Sequence, residues 1–247
     1  MIWLGLLWIG FGVVDAVHGA TRRHGWPSVV GAAVVVGVAA LAGRMGHLPD
    51  VVISVGVAVL VLGWGGVVRR GFGARLPALP LVYAGLATIV VIALNAAGEG
   101  GGGPLRDWLA ASNIGYFQDL SADRFVLLLG AALVQGSTGN VLVRLVLLAT
   151  HTVRPQQADG PEPGPSLKGG RLLGPLERLI ILGLGLTGAY TAIGIVVAAK
   201  GLLRFPELQA ARDATEGPSI TEVTEYFLVG NFLSWTLALG TLALVAA

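Results

Sequence analysis

The sequence predicts an all-α protein that crosses a membrane as a polytopic helical bundle of about seven spans. Hydrophobic residues make up 54% of its 247 residues, and charged residues make up only 12%. Soluble domains carry about 25% charged residues, so this chain has too little polar surface to cover a water-soluble globule. Its apolar segments are long and continuous, which favours transmembrane helices over the ~10-residue alternating strands of a membrane barrel.

Seven apolar segments, each bounded by charges, proline or glycine, are the predicted spans. They cover approximately residues 2–17, 26–41, 48–68, 77–97, 121–153, 175–199 and 219–246. As one helix, the fifth segment is ~48 Å long at 1.5 Å per residue, which exceeds a ~30 Å hydrocarbon core. We therefore expect it to tilt, to project from the membrane, or to break at the polar stretch 135–140.

The predicted spans fall into two regions. The N-terminal region, 1–121, holds four spans and the segment 104–120, where Trp108, Tyr116 and Phe117 stand among polar residues. Such a segment is too broken to span and is typical of a short helix at the membrane interface. The C-terminal region, 122–247, holds three spans and a flexible hydrophilic linker at 154–170, which is rich in proline and glycine.

The distribution of lysine and arginine predicts how the chain is oriented in a bacterial inner membrane. No basic residues precede the first apolar segment, so we expect a retained helix and no cleaved signal peptide. With seven spans, an N-terminus outside and a C-terminus in the cytoplasm, nine cations lie inside and six outside. The inner cations are Arg22, Arg23, Arg69, Arg70, Arg75, Arg154, Lys168, Arg171 and Arg178, and the outer ones are Arg44, Arg106, Arg124, Lys200, Arg204 and Arg212.

Composition also excludes several kinds of chemistry. The net charge is +2, and the cations are scattered through short loops, which suits loops beside an anionic lipid bilayer and not a nucleic-acid partner. The absence of cysteine excludes disulfides, thiolate catalysis and cysteine-bound metals. Walker, His-Glu-x-x-His and Gly-x-Ser-x-Gly motifs are also missing. We therefore expect no cofactor and no metal, and the sequence favours a protein that is not an enzyme.

Ionisable and amide side chains within the apolar segments are the candidates for function, because such residues are rare at membrane depth. An inner group combines Asn140 and Arg144 of the fifth span with Glu177 and Arg178 at the start of the sixth. This group predicts either an Arg144–Glu177 clamp between two helices, an arginine that snorkels to the surface, or a contact for an ion or solute. Gln135 is a secondary candidate, because it opens the stretch at which the fifth span is expected to break.

An outer group lies where the sixth and seventh spans approach each other. Lys200 and Arg204 are one turn apart at the end of the sixth span, and Glu225 follows the start of the seventh. Along one helix, Lys200 is ~34 Å from Glu177, so the sequence places the two groups at opposite membrane faces. The outer group predicts a clamp between helix ends or an anion site, and Glu225 is the predicted protonatable carboxylate.

Asp15 and His18 form a third, secondary candidate in the first span. They are three residues apart and lie on the same side of a helix. A carboxylate–imidazole pair relays protons or binds a metal, but two ligands without a third are weak evidence for a metal site. A solvated helix end explains the pair equally simply.

The C-terminal half resembles a widespread family of bacterial polytopic membrane proteins known as a domain of unknown function. The matching pieces are Asn140-Val-Leu-Val-Arg144, Gly169-Gly-Arg-Leu-Leu-Gly-Pro-Leu-Glu-Arg178, Ala192-Ile-Gly194, Ala198-Ala-Lys200, Arg204-Phe205 and Glu225-Tyr-Phe-Leu-Val-Gly230. The family's first helix typically carries His-Leu-x-Ala-Asp, whereas this chain has Asp15 and His18 in a different order. The resemblance implies that the candidate residues of the two groups matter, but it implies no reaction.

Three functions are compatible with this sequence. Polar groups near broken or glycine-rich helices favour a small transporter or channel-like protein for an ion or small solute. Close-packing helices with little mass outside the membrane also suit a non-catalytic subunit or scaffold, with a membrane-protein partner or a second copy of the chain. The third alternative is a membrane-embedded enzyme that acts on lipid-linked substrates.

Overall fold

The computed structural model describes residues 1–21, 26–73, 76–95, 103–150, 170–213 and 220–246. These residues form helices and no strand, which confirms the all-α prediction. The helices are α1 (Ile2–Thr21), α2 (Trp26–Leu41), α3 (Leu48–Gly73), α4 (Ala78–Leu94), α5 (Pro104–Ala111), α6 (Gly115–Gln118), α7 (Ala122–Leu133), a π-helical turn (Val134–Thr138), α8 (Gly139–Ala149), α9 (Gly170–Leu186), α10 (Tyr190–Asp213) and α11 (Ile220–Ala246). The predicted linker 154–170 lies outside the described residues, except for Gly170 at the start of α9.

Four helical segments are long and apolar enough to cross a membrane. They are Ile2–Thr21, Leu48–Gly73, Ala122–Ala149 and Thr224–Ala246. Three shorter apolar helices accompany them, at Trp26–Leu41, Ala78–Leu94 and Tyr190–Leu202. The chain is thus a membrane protein by the length and composition of its helices, but the count of seven spans is not confirmed.

Helix α1 lies at the centre of the bundle. It packs against α2, α3, α4 and α7, and its first eleven residues are all buried. Glycine allows the closest approach: a Cβ added at Gly5 would lie 2.7 Å from the backbone nitrogen of Leu127, and one added at Gly130 would lie 2.5 Å from the carbonyl oxygen of Gly5. Small residues at such crossings bring helix backbones together and maximise van der Waals contact in a membrane.

The fifth predicted span is one long helix with an irregular middle. Helices α7 and α8 continue each other through the π-helical turn Val134–Thr138, hereafter the π turn. The polar stretch at which a break was expected therefore widens the helix without ending it. The Ser137 hydroxyl donates to the carbonyl oxygens of Leu133 and Gly12, each at 2.8 Å, so the turn is bonded both to its own helix and to α1.

The sixth predicted span is not a single helix, which corrects the sequence-based expectation. Helix α9 ends at Leu186 and α10 begins at Tyr190. Between them Gly188 has a φ of 74°, a left-handed conformation that glycine adopts without a Cβ penalty. The chain reverses at this residue, so α9 and α10 form a hairpin that packs against α11.

Because of this additional reversal, the first and last helices begin and end at the same end of the bundle. Arg44, which follows α2, lies over the ring of Trp3 at 5.6 Å and binds the Asp123 carboxylate at the start of α7. At that same end, Arg124 donates to the carbonyl oxygen of Val245 near the end of α11. Termini on opposite sides of the membrane, as expected from seven spans, are not supported by this arrangement.

The segment predicted to lie at the interface consists of two short helices, α5 and α6. Trp108 and Tyr116 are 55% and 66% exposed. Phe117 lies between them and the body of the bundle, with its ring edge-on to Phe125 of α7 at a centroid distance of 5.9 Å. This segment follows Gly103, whose added Cβ would lie 2.5 Å from the backbone nitrogen of Gly43, so it belongs to the Arg44 end.

Candidate functional site

The most unusual feature of the bundle is an arginine enclosed between three helices. Arg178 of α9 is only 2% exposed. Its Nε and Nη2 atoms donate to the Gln135 carbonyl oxygen at 3.1 and 2.9 Å, and Nη2 also donates to Asn140 Oδ1 at 2.6 Å. Its Nη1 atom donates to Ser234 Oγ of α11 at 3.2 Å. All four acceptors are neutral, so the hydrogen bonds orient the guanidinium without cancelling its charge.

The π turn makes this arrangement possible. A π-helical turn alters the regular hydrogen bonding of the helix, and such turns occur frequently at functional sites. The Gln135 carbonyl lies in this turn and receives two hydrogen bonds from Arg178. The next residue after the turn is Gly139, where an added Cβ would lie 2.8 Å from Arg178 Nε. Glycine at this position therefore provides the space for the guanidinium.

The neighbouring acid of α9 has different partners. Glu177 is 7% exposed, and its Oε2 atom accepts from the ammonium group of Lys200 on α10. Its Oε1 atom accepts from Trp235 Nε1 of α11 at 2.8 Å. One carboxylate thus joins α9, α10 and α11, and the adjacent arginine joins α9, α8 and α11. With two cations and one anion, Glu177, Arg178 and Lys200 carry a formal charge of +1.

The inner and outer groups inferred from the sequence are therefore partly one cluster, which we call the mid-bundle cluster: Gln135, Asn140, Glu177, Arg178, Lys200, Ser234, Trp235 and Thr241. The expectation that Glu177 and Lys200 lie at opposite membrane faces is wrong, because the chain reverses at Gly188. Both side chains are ten or eleven residues from that reversal, along antiparallel helices.

The remaining predicted residues lie elsewhere. Arg144 is exposed and lies over the ring of Phe72 at 5.7 Å, and the partner of Glu177 is Lys200. Glu225 is exposed on α11. The side chain of Arg204 is outside the part of the chain that the structure describes. Neither Arg144 nor Glu225 contributes a contact to the mid-bundle cluster.

The depth of the cluster follows from the lengths of the helices that carry it. Gln135 is 13 residues from the start of α7 at Ala122 and 14 residues from the end of α8 at Ala149. Ser234 is similarly central in α11. Gln135 is fully buried, and its Nε2 atom donates to Thr241 Oγ1 of α11 at 2.8 Å, whereas its Oε1 atom has no hydrogen-bond partner among the described residues. The cluster thus lies halfway along the bundle.

Asp15 lies on the other side of the π turn. Its Oδ2 atom accepts from Thr138 Oγ1 at 2.7 Å and from Trp64 Nε1 at 3.1 Å. Trp64 is fully buried and stacks on Phe11 at a centroid distance of 4.5 Å, so its N–H group is held in place. His18 is exposed near the end of α1, and the described contacts of Asp15 do not include it.

Sequence reasoning missed several members of this site. Ser234 and Thr241 are seven residues apart on α11, which places them on one face of a helix. Polar residues at that spacing in an apolar helix were the available signal for a buried polar contact. Thr138 lies in the polar stretch that was singled out. Trp64 carried no signal, since nothing in the sequence pairs it with Asp15.

A second charged cluster lies at the Arg44 end of the bundle. Arg44 is 2% exposed, and its Nη2 atom donates to both carboxylate oxygens of Asp123 at 2.8 and 2.7 Å. Its Nη1 atom is 3.7 Å from Asp50 Oδ2. This arginine therefore ties the α2–α3 connection to the starts of α3 and α7. It was expected to be an outer-loop cation, and the structure shows a buried clamp.

Neither a metal group nor a large chamber accompanies the mid-bundle cluster in the described residues. No three His, Asp or Glu side chains converge there as metal ligands. An apolar depression of about 450 Å³ is lined by Leu76, Pro77, Ala78, Leu79 and Val82, and it shares no residue with the cluster.

Comparisons with known proteins do not identify a relative. No family model, no curated protein and no solved structure matches this chain. The resemblance of the C-terminal half to a family of unknown function therefore stays a prediction, and the function is argued from the site alone.

Proposed function

We propose that the protein moves a small solute or ion across the membrane, and that the mid-bundle cluster contacts the solute. The observation that carries this proposal is the presence of Glu177, Arg178 and Lys200 halfway along a bundle of apolar helices. Ionisable residues at such a depth are costly, and in membrane proteins they typically mark ion or substrate pathways.

A purely structural role explains these charges less well. Buried ion pairs are weak contributors to stability, because the cost of desolvation offsets much of the attraction between the charges. Apolar side chains would join α9, α10 and α11 at no such cost. Charges kept at this depth, on a helix with an irregular π turn, are typical of solute sites in transporters, which often lie at interrupted helices near the midplane.

The charge of the cluster favours a solute with an anionic group. Glu177 neutralises one of the two cations, and the second positive charge is bound only by neutral acceptors. An anion that entered the cluster would complete its charge balance. Arginine also binds carboxylate and phosphate groups well, because its planar fork offers parallel N–H donors.

Solute flux into proteoliposomes tests this proposal. The probes are radiolabelled acetate, phosphate and chloride, with glycerol as a neutral probe and sodium as a cation. The test variant carries Glu177→Gln together with Lys200→Gln, which removes both charges and nearly preserves side-chain size. We expect at least one anion to enter faster than in protein-free vesicles and the double variant to slow it at least tenfold.

The matched control is Glu225→Gln, because Glu225 is exposed and does not contact the cluster. This variant should transport at the rate of the unaltered protein. Equal thermal unfolding of the three proteins shows that a loss of flux is not a loss of fold. The absence of flux for every probe, or an unchanged flux in the double variant, overturns the proposal.

A subunit or scaffold role is the second candidate, and one observation favours it. The cluster is closed by internal hydrogen bonds, and the apolar depression at Leu76–Val82 does not reach it. Native mass spectrometry of protein extracted gently from its host membrane separates the two functions. A co-purifying protein at fixed stoichiometry supports the subunit role, whereas a lone monomer or homo-oligomer contradicts it.

We also propose an orientation in which both chain ends lie outside the cytoplasm. The hairpin at Gly188 directs the second half of α10 away from the Arg44 end, so the connections at the opposite end hold most of the cations. Those ten are Arg22, Arg23, Arg69, Arg70, Arg75, Arg154, Lys168, Arg171, Arg204 and Arg212, whereas Arg44, Arg106 and Arg124 belong to the Arg44 end. Cytoplasmic loops are enriched in such cations, so the Arg44 end faces outward.

A further inference from the structure

Asp15 is a carboxylate inside a membrane-length helix. It lies 13 residues after Ile2 and six residues before Thr21 in α1, or ~9 Å from the nearer helix end at 1.5 Å per residue. It is half-buried. Its contacts are the hydroxyl of Thr138 and the indole N–H of Trp64, both neutral donors.

No cation of the described residues neutralises Asp15. Among the elements that pack on α1, neither α2 nor the π turn carries an ionisable side chain, and Tyr83 of α4 donates to a backbone carbonyl. On α3, Arg69 and Arg70 are exposed and make no printed ion pair with Asp15, and Asp50 is bound to Arg44 at the far end. On α7, Asp123 is bound to Arg44 and Arg124 to a carbonyl of α11. His18, on α1 itself, is exposed.

The hydrogen bonds around Asp15 suit two protonation states. When it is ionised, its oxygens accept from Thr138 and Trp64, and these bonds lower the cost of the buried charge. Its Oδ2 atom receives two of these bonds, whereas Oδ1 receives only the weaker one from Trp64, at 3.2 Å. The proton of the neutral state therefore belongs on Oδ1. An uncompensated carboxylate at membrane depth is also a typical member of proton relays.

We propose that Asp15 is a reversible proton-binding site that couples proton movement to the π turn. Thr138, which donates to Asp15, is the last residue of that turn, and it is followed by Gly139, against which Arg178 packs. Proton uptake removes the negative charge that orients the Thr138 hydroxyl and so acts on the turn that holds Arg178. Coupling to a solute rests on the proposed transport function, whereas proton binding at Asp15 does not.

Infrared spectroscopy of the full-length protein in phosphatidylethanolamine–phosphatidylglycerol vesicles detects this proton directly. A difference spectrum between acid and alkaline buffer shows the carbonyl stretch of a buried protonated carboxyl group. We expect this band in the unaltered protein and in Glu225→Gln, and its loss in Asp15→Asn. In Thr138→Val we expect the band to persist at a shifted frequency, since the carboxyl group loses one hydrogen bond.

Proton flux gives a second measurement. Vesicles that contain the protein and a pH-sensitive dye are given a potassium diffusion potential with valinomycin, and the rate of internal acidification is recorded. We expect Asp15→Asn to acidify at least tenfold more slowly than Glu225→Gln. If Asp15→Asn does not fold, the frequency shift in Thr138→Val still decides the assignment.

A band that survives in Asp15→Asn, or a band that is unchanged in Thr138→Val, overturns the proton site. The outcomes also separate the two proposals. Anion flux without an Asp15 band leaves transport standing and removes proton binding. An Asp15 band without any solute flux establishes the proton site and removes the transport function on which the coupling rests.

Discussion

At the scale of single residues, the site depends on a glycine as much as on an arginine. Gly139 and Gly136 are three residues apart on the same irregular helix, but their surroundings differ. A Cβ at Gly139 would meet Arg178 Nε at 2.8 Å and Leu237 Cδ2 at 3.0 Å, whereas a Cβ at Gly136 would meet no atom within 4 Å. The two positions therefore separate the general effect of glycine in a helix from the particular need for space beside the guanidinium.

We predict that Gly139→Ala lowers the free energy of unfolding by about 1–3 kcal/mol, the typical cost of overpacking. The matched variant Gly136→Ala should raise it by roughly 0.5 kcal/mol, because alanine loses less backbone entropy in a helix. Unfolding by sodium dodecyl sulfate in mixed micelles measures both values. Equal effects of the two substitutions would show that Arg178 does not pack against Gly139.

At the scale of elements, the hairpin of α9 and α10 changes the meaning of the charged residues. A straight helix puts Glu177 and Lys200 ~34 Å apart, whereas the reversal at Gly188 brings them into contact. The hydropathy of residues 175–199 predicted the helices but not the reversal, because Thr187 and Gly188 are compatible with a continuous apolar helix. A φ of 74° is a property of the backbone, and composition does not encode it.

We predict that Glu177 and Lys200 are energetically coupled. In a double-mutant cycle with Glu177→Gln and Lys200→Gln, the coupling energy should be about 1 kcal/mol, within the range for residues in contact. Residues at opposite ends of a helix give additive effects to within about 0.3–0.5 kcal/mol. An additive result for the measured unfolding free energies would restore the single long helix.

The sequence allowed some elements of the site to be predicted and not others. The stretch 135–140 was identified because polar residues interrupt an apolar span, and the π turn lies there. The partners of Glu177 and Asp15 were not identifiable, because Trp235 and Trp64 are separated from them by 58 and 49 residues. Tryptophan in an apolar helix looks like any other core residue until tertiary packing directs its N–H group.

At the scale of the whole molecule, the hairpin determines the side on which the chain ends. Helices α1 and α11 have one end each at the Arg44 end, where Arg44 lies over Trp3 and Arg124 binds the carbonyl of Val245. Lysine and arginine counts from seven spans gave nine against six, whereas the counts from the observed hairpin give ten against three. The direction of α10 accounts for most of this change.

We predict that epitope tags at the two chain ends are both accessible from outside spheroplasts. A third tag inserted after Gly160 serves as the control and should become accessible only after the membrane is opened, because the connection from α8 to α9 starts from the cation-rich end. Antibody labelling of intact and permeabilised cells measures all three. A C-terminal tag that is protected in intact spheroplasts would contradict the proposed orientation.

The central position of α1 has a consequence for the order in which the protein assembles during translation. Asp15 is synthesised 123 residues before Thr138, its hydrogen-bond donor. At about 5–20 residues per second, the ribosome needs roughly 6–25 s to complete that interval. Throughout it, the buried face of α1 waits in lipid or against the insertion machinery without α7 and the π turn. A nascent chain stalled before residue 134 therefore carries an aspartate that its later structure shelters.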